Sequence, residues 1–391
     1  MSTNNANQMV TVRVERFNPD TDKEAHFQEY NIEMIQGMTI LDALHEIKTV
    51  QDGSLTYRRS CRHGICGSCG MNVNGVNMLA CESPLKDHLD GNGSIAIRPL
   101  SYLPVIKDLV VDRTSFWDQY LRVRPWVIPS EEVTDRETRV SPEEVAGYNK
   151  AETCIMCGAC YSACPVVNVY KGFVGPHAML KDFLRVSDSR DNGTAEHMGD
   201  IATVWDCTTC YLCCEQCPKD LDPGKVSSIL RSMLVEDNKV PRKLGNALTS
   251  TFRYSNPFEM PHKDRGAWAA DLSLKNALEE QVETLYFVCC IACYDPRVQK
   301  TSQAMVTVMD KLGIVLGTLG SEEACCGSEM RRIGEMGLWE MMLEERTELL
   351  SGAKMEQIVT ISPHCFDVYK NHYPDLNVPT KHFTQYVAGL I

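Results

Sequence analysis

The placement of 19 cysteines in a chain of 391 residues constrains what this sequence can fold into more than any other feature. Two runs share one spacing: Cys154-x2-Cys157-x2-Cys160-x3-Cys164-Pro165 and Cys207-x2-Cys210-x2-Cys213-x3-Cys217-Pro218. In this spacing three thiolates of one run and the last thiolate of the other surround one [4Fe–4S] cubane, and the swap builds a second. One cubane then takes Cys154, Cys157, Cys160 and Cys217. The other takes Cys207, Cys210, Cys213 and Cys164. A lone C-x-x-C says little, whereas two complete runs, each closed by Cys-Pro, say much. Zinc in both runs is the competing reading, and the x3-Cys-Pro endings do not suit it. Cys214 is surplus and reads as a small buried hydrophobe. The sequence reads as a carrier of single electrons between metal centres.

The bulk numbers set the compartment. A net charge of −13 argues against a nucleic-acid surface, so no nucleic-acid partner is expected. The polar start (Met1 to Gln8) carries no signal peptide, and no stretch approaches the ~18 uncharged apolar residues of a membrane span. The expectation is a cytoplasmic protein, soluble or peripheral to the cytoplasmic face of a membrane, in a reducing compartment where thiolates can hold iron. The cysteines fall in blocks: four between 61 and 81, four between 154 and 164, five between 207 and 217, and six from 289 onward. That segregation places domains at 9–110, 111–240 and 281–391, with 241–280 as a linker or docking segment. The fold class is α+β multidomain.

In the first block Val10, Val12 and Val14 alternate with Thr11, Arg13 and Glu15, as in a strand, and Tyr30, Ile32 and Met34 repeat the pattern. Thr39 caps a helix through Leu41, Leu44 and Ile47. Cys61, Cys66 and Cys69, with Cys81 after a turn at Gly75, have the C-x4-C-x2-C…C spacing of a plant-type [2Fe–2S] loop. Strand, strand, helix, cluster loop, strand is a β-grasp order. Structural zinc is the alternative, and a C-x4-C-x2-C loop does not fit its usual pairing of C-x2-C units. Around the two later runs, 143–150, 177–185 and 224–236 read as helices, giving an all-α two-cluster domain.

These residues together resemble the iron–sulfur subunit of the succinate dehydrogenase/fumarate reductase family. The resemblance rests on Ser60 to Gly67, Asn74 to Cys81, Cys154-Ile155-Met156-Cys157-Gly158-Ala159-Cys160, Gly175-Pro176 and Cys217-Pro218-Lys219, and covers roughly 9–240. It implies a partner flavoprotein subunit carrying FAD. Many family members have an aliphatic residue where this chain has Cys210, and hold a [3Fe–4S] cluster. Cysteine here implies a fourth iron. Val167, Asn168 and Val169 replace frequent tryptophans of the family's quinone pocket, and Thr208 stands where histidine is common.

The last block changes character. Leu285 to Val288, Ile314 to Leu319 and 357–361 read as strands, with helices over 298–312 and 333–350 between them. This βαβαβ order predicts a parallel α/β layer with cysteines at strand ends, where sites collect. The block resembles one copy of the cysteine-rich CCG domain found in heterodisulfide reductases. The resemblance matches Cys290, Cys325, Cys326 and Cys365, with Ser362 where that pattern has a further cysteine. It implies a metal site of those four residues, with Cys289 or Cys293 as a substitute ligand, filled by an iron–sulfur cluster or by zinc. In 241–280, Arg242, Lys243, Arg253, Lys263 and Arg265 interleave with Phe252, Tyr254, Phe258 and Trp268, which suits a membrane interface, a partner, or a plain linker.

No G-x-G-x-x-G after a strand and no P-loop occurs, so no FAD is expected in this chain and no catalytic residue is assigned. The expected function is an electron-transfer subunit with one [2Fe–2S] and two [4Fe–4S] clusters. It would work between the flavoprotein and a quinone or CCG-linked partner, with a membrane-anchor or heterodisulfide reductase-like subunit as further partners. Two alternatives stand: a thiol-driven fumarate reductase subunit oxidising dithiols at the CCG site, and a zinc-bearing CCG module used only for docking.

Overall fold

The computed structural model describes residues 8–129 and 137–391. Alternation decides the first sheet. Strand β1 (Gln8–Arg16) buries Val10, Val12 and Val14 and turns Arg13 outward. It pairs antiparallel with β2 (His26–Met34), Val12 opposite Tyr30. The hairpin of β3 (Gly70–Val73) and β4 (Val76–Leu79) turns at Asn74-Gly75, and β5 (Ser94–Arg98) lies between β1 and β3. The sheet order is β2-β1-β5-β3-β4. Helix Ile40–Glu46 begins at the expected Thr39, whose hydroxyl accepts from the Asp42 N–H while the Asp42 carboxylate accepts from the Thr39 N–H. It buries Ile40, Leu41, Ala43 and Leu44 against the sheet.

One buried cation ties this layer together. Arg16, at the end of β1, donates to Asp108 at 3.0 Å, Asp52 at 2.5 Å, Ser54 at 2.9 Å and Gln28 at 2.8 Å, and also to the Tyr30 hydroxyl. Asp108 sits between β6 (Val105–Lys107) and β7 (Val110–Val111) and also accepts from the Phe17 and Thr56 N–H groups. The Ser54 hydroxyl, with Tyr30 and Arg16, holds the Asp52 carboxyl well below the usual carboxylate range.

Short helices form in and after the cysteine runs: Ala159–Ala163 within the first, Pro165–Val169 at its end, and Leu212–Glu215 within the second. Longer helices pack around them at Pro142–Glu152, Pro176–Val186 and Pro223–Glu236, close to the three spans read from sequence. The chain divides into two compact units, Met1–Leu230 and Arg231–Ile391.

The second unit is built on an all-parallel sheet of order β12-β11-β9-β10-β8. The strands are β8 (Lys275–Asn276), β9 (Val282–Phe287), β10 (Leu316–Thr318), β11 (Met355–Thr360) and β12 (Thr380–His382). The three strands expected from sequence form its centre. The two- and three-residue edge strands carry too few residues to show alternation. The helix expected over 333–350 is Met336–Gly352, and a short helix not read from sequence, Ser328–Ile333, precedes it, separated at Gly334 and Glu335. Helix Arg242–Tyr254 belongs to this unit, and Arg265 and Trp268 are buried in it, so those two side chains leave the surface set read from sequence. Among the described residues no helix is long and apolar enough to cross a membrane.

Replacing Arg16 by Met leaves two carboxylates at a buried position without their cation, which should cost about 3–5 kcal/mol of unfolding free energy. Because the Asp52 carboxyl is depressed in the folded state, its contribution is present above the ordinary carboxylate range and lost as pH falls through the lowered value. Denaturant titrations at several pH values should therefore show the gap between the two proteins narrowing in acid.

Candidate metal centres

The loop after residue 60 turns its backbone toward sulfur. The N–H groups of His63 and Cys66 point at Cys61 Sγ (3.4 and 3.3 Å), that of Cys61 at Cys66 Sγ (3.5 Å), and that of Gly64 at Cys81 Sγ (3.2 Å). Backbone donors aimed at the thiols of one loop and hairpin form a cradle for anionic sulfur. Cys69 and Cys81 are buried while Cys66 is exposed, so one edge of the cradle faces outward. Burial pushes the Cys69 thiol up to about 12. The Ser68 hydroxyl and nearby N–H groups pull Cys66 down to about 6.

The two later runs cross over. One cavity is lined by Cys154, Cys157, Cys160 and Cys217, together with His177 and Leu180. A second is lined by Cys164, Cys207, Cys210 and Cys213. The structure thus gathers each set of four that the spacing selects. The backbone repeats as well: Met156 and Thr209, each just before the second cysteine of its run, have φ of +55° and +50°. The residue after that cysteine is Gly158 in the first run (φ +88°) and Tyr211 in the second (φ +61°). Glycine takes this conformation freely; tyrosine does not. The Tyr211 ring packs on Gly224, where a Cβ would lie 2.5 Å from it. Cys214 is half-buried rather than buried, and its thiol donates to Asp222 at 3.1 Å.

The first cradle and the first cavity nearly touch. Gly67 has φ +69°, and a Cβ on it would lie 2.8 Å from Cys157 Cα and 3.0 Å from the Ile155 carbonyl oxygen. Asn77 fixes the approach, donating to the Ala159 carbonyl at 3.0 Å and, from its N–H, to Gln216 at 2.9 Å. Arg113 donates to the Met156 carbonyl with its guanidinium 4.5 Å from the Phe116 ring centroid.

In the second unit six cysteines follow the carboxyl ends of β9, β10 and β11, and all six are buried. Cys365 Sγ lies 3.3 Å from Cys326 Sγ. Cys289 contacts Cys365, Cys290 contacts Cys325, and Cys325 contacts Cys326, so five thiols form one chain of contacts. These contacts, and then burial, push the Cys290 and Cys365 thiols well up. Crowded thiolates repel, and a metal cation reverses that balance. Cys293 stands apart, its thiol donating to the Val288 carbonyl at 3.2 Å. Ser362 caps helix Pro363–Asn371, its hydroxyl accepting from the Cys365 N–H at 3.3 Å. Glu329 also approaches: its carboxylate and the thiols of Cys325 and Cys326 lie within 4.8 Å of one another.

Sequence reading missed Arg265. Its fully buried guanidinium donates to Cys290 Sγ at 3.3 Å, to the Val288 carbonyl at 3.1 Å and to Glu323 at 2.8 Å. The other Glu323 oxygen accepts from the Val288 N–H at 3.0 Å, and burial raises that carboxyl to about 7. No signal near residue 265 announces this, because its partners lie far along the chain.

Residues 11–118 match the family described as 2Fe-2S iron-sulfur cluster binding domain, 150–221 the 4Fe-4S dicluster domain, and 284–368 the Cysteine-rich domain. The chain is 37% identical over 237 residues to a succinate dehydrogenase iron-sulfur subunit of Coxiella burnetii, covering 59% of this chain and 99% of that one. It is 30% identical over 376 residues to one of the subunits of the fumarate reductase (CoM/CoB) of Methanothermobacter marburgensis, covering 95% and 72%. The chain belongs to the succinate dehydrogenase/fumarate reductase iron–sulfur subunit family. Like the Methanothermobacter relative, it aligns well past the two ferredoxin-type domains. A Helicobacter pylori protein of known structure shares the fold over 97% of this chain and 71% of its own, with a TM-score of 0.60 and 14% identity.

Two substitutions probe the geometry. Gly67→Val places side-chain carbon where the Cys157 backbone already is, so the cradle and the cavity must separate. The magnetic coupling between the two centres, read as splitting and fast relaxation in electron paramagnetic resonance of the reduced protein, should weaken while both signals persist. Arg265→Met leaves the Glu323 carboxyl buried without its cation and should cost about 3–5 kcal/mol in the C-terminal unit. Hydrogen exchange should locate the loss in 231–391 and leave 8–129 protected.

Proposed function

We propose that this chain is the electron-relay subunit of a succinate dehydrogenase/fumarate reductase-type complex. It would work between an FAD-bearing dicarboxylate subunit and a redox partner at its cysteine-rich end. One observation carries the reading: two cavities, each lined by three cysteines of one run and the closing cysteine of the other. Cys154, Cys157, Cys160 and Cys217 would hold one [4Fe–4S] cluster, and Cys164, Cys207, Cys210 and Cys213 the second. Cys61, Cys66, Cys69 and Cys81 would hold a [2Fe–2S] cluster on a sheet of β-grasp type. These clusters supply reversible one-electron oxidation and reduction.

The chain's own residues do the rest. They bury Cys157 and Cys160 away from water, hold the first cradle against Cys157 through Gly67 and Asn77, and leave Cys66 at an outward edge suited to a flavoprotein. Cys210 gives the second cavity a complete set of four thiols, which favours a fourth iron there.

At the cysteine-rich site, Cys289, Cys290, Cys325, Cys326 and Cys365 would be the ligands. Five thiols in one contact chain exceed the four of a tetrahedral zinc site. This favours an iron–sulfur group over the zinc-bearing docking reading. Cys289 takes the place left by Ser362, and Cys293 does not. The Methanothermobacter relative, named a CoM/CoB fumarate reductase subunit, keeps dithiol oxidation as the second reading of this site.

The division of labour gives the test. The cluster-loaded chain alone should take electrons from dithionite and pass them to a dye, with no succinate or fumarate turnover until an FAD subunit is added. Turnover by the flavin-free chain would refute the proposal. So would a second cavity that holds only three irons in the anaerobically purified protein.

A further inference from the structure

Glu329 brings a carboxylate to the thiols of the cysteine-rich site, and the chain is built to put it there. The adjacent pair Cys325-Cys326 is followed by Gly327 and then by helix Ser328–Ile333. Gly327 takes φ +78°, and a Cβ on it would lie 2.8 Å from the Trp339 ring, so the turn requires glycine. That turn sends the Glu329 side chain back to the pair. The backbone of the pair is itself held at three points. The Cys325 N–H donates to the Ser255 carbonyl at 2.9 Å, Arg346 Nε donates to the Cys325 carbonyl at 3.4 Å, and the Tyr373 hydroxyl donates to the Cys326 carbonyl at 2.9 Å.

The two carboxylate oxygens face different groups. Oε1 lies 3.4 Å from His364 Nδ1. Oε2 lies 4.0 Å from Cys325 Sγ, and the ligand atoms of Cys325, Cys326 and Glu329 all fall within 4.8 Å of one another. Metal–sulfur bonds of ~2.3 Å and metal–oxygen bonds of ~2.0–2.2 Å place two donors on one tetrahedral ion about 3.5 Å apart. Small rotations about the side-chain bonds close the observed spacing to that value.

A surface ion pair with His364 accounts for Oε1 alone. Such a pair is worth at most about 1 kcal/mol and forms as well away from the thiols. The placement of Oε2 runs against simple electrostatics. A carboxylate beside thiols that give up their protons to bind metal adds to the repulsion among them. A metal ion between them reverses the sign. Exposure separates the donors as well. Cys325, Cys326 and Cys365 are buried, whereas the Glu329 side chain is 40% exposed, so the oxygen stands at the outer edge of the site.

We infer that Glu329 is an oxygen ligand of the cysteine-rich site: Oε2 binds a metal ion shared with Cys325 and Cys326, and His364 is the positioning residue that holds Oε1. This deepens the reading of the site as an iron–sulfur group and rests on it. Carboxylate is a harder donor than thiolate and suits iron in a sulfur-rich set less well. The iron bound by Glu329 is therefore chemically distinct from its neighbours and is the one nearest water.

The test uses the full chain, enriched in the Mössbauer isotope of iron and purified anaerobically, and needs no turnover. Iron bound by oxygen as well as sulfur gives a doublet of larger isomer shift than iron bound by sulfur alone. The unaltered chain should show such a doublet. Glu329→Gln, which keeps the shape and removes the anionic donor, should lack it. His364→Ala should keep the doublet with an altered quadrupole splitting and hold that iron about tenfold less tightly against EDTA, as loss of an outer partner does. Cys326→Ala marks the site itself by lowering the iron content of the chain. Iron content unchanged by Cys326→Ala would refute the iron–sulfur reading of the site, and this inference with it. Iron lowered by Cys326→Ala, with a Glu329→Gln spectrum identical to that of the unaltered chain, would overturn the oxygen ligand alone. So would equal effects of Glu329→Gln and His364→Ala confined to a small loss of stability, which is what a surface ion pair predicts.

Discussion

Buried thiolates repel one another, and this constraint shapes every part of the molecule that matters for function. A thiol kept from water holds its proton: Cys157 is pushed up to about 11 and Cys160 well up, both by burial. The fold must then supply two things that hydrophobic packing does not, a way to bring sulfur atoms together and donors to receive the charge when the protons leave. The N-terminal loop does the second with backbone N–H groups aimed at Cys61, Cys66 and Cys81. The two runs do the first by exchanging their closing cysteines.

The C-terminal unit meets the same constraint with different parts. A parallel sheet sends the chain end of each central strand to one edge, and each of β9, β10 and β11 is followed by cysteine and a helix. Convergence comes from topology, so no long cluster loop is needed. Charge is balanced by a side chain: Arg265 spans Cys290 and Glu323 and is itself out of water. A buried guanidinium is costly unless its donors are used, and here thiol, carboxylate and carbonyl take its two terminal nitrogens, while Nε has no partner among the described residues. The stretch 241–280 thus supplies part of the site's wall and its cation, although the grammar of cysteines begins only at Cys289.

Legibility in the sequence depends on range. Spacing within a run is local, and it selects the two sets of four thiols that the cavities bring together. Alternation at Val10, Val12 and Val14 and the capping pair Thr39 and Asp42 are local too, and both elements form where they are read. Gly158 marks a left-handed backbone position openly. Tyr211, at the equivalent place in the second run, hides it, because the ring contact with Gly224 that accompanies it is tertiary. The choice between Cys289 and Cys293 stays open in sequence for the same reason. Both are near Cys290 along the chain, and only the fold shows that Cys293 is turned to the Val288 carbonyl. Arg265 reads as one of several surface cations because its carboxylate partner is 58 residues away.

Ser362 acts on the cysteine-rich site through the backbone. Its hydroxyl accepts from the Cys365 N–H and starts the helix that fixes Cys365 against Cys326. A serine at an N-cap is worth about 1 kcal/mol over alanine, and the group it orients is a thiol of the site. Cys289 lies at the start of helix Cys290–Tyr294 and contacts Cys365 from the end of the neighbouring strand. Strands β9 and β11 are adjacent in the sheet, so residues just past their ends face each other without any change of backbone path.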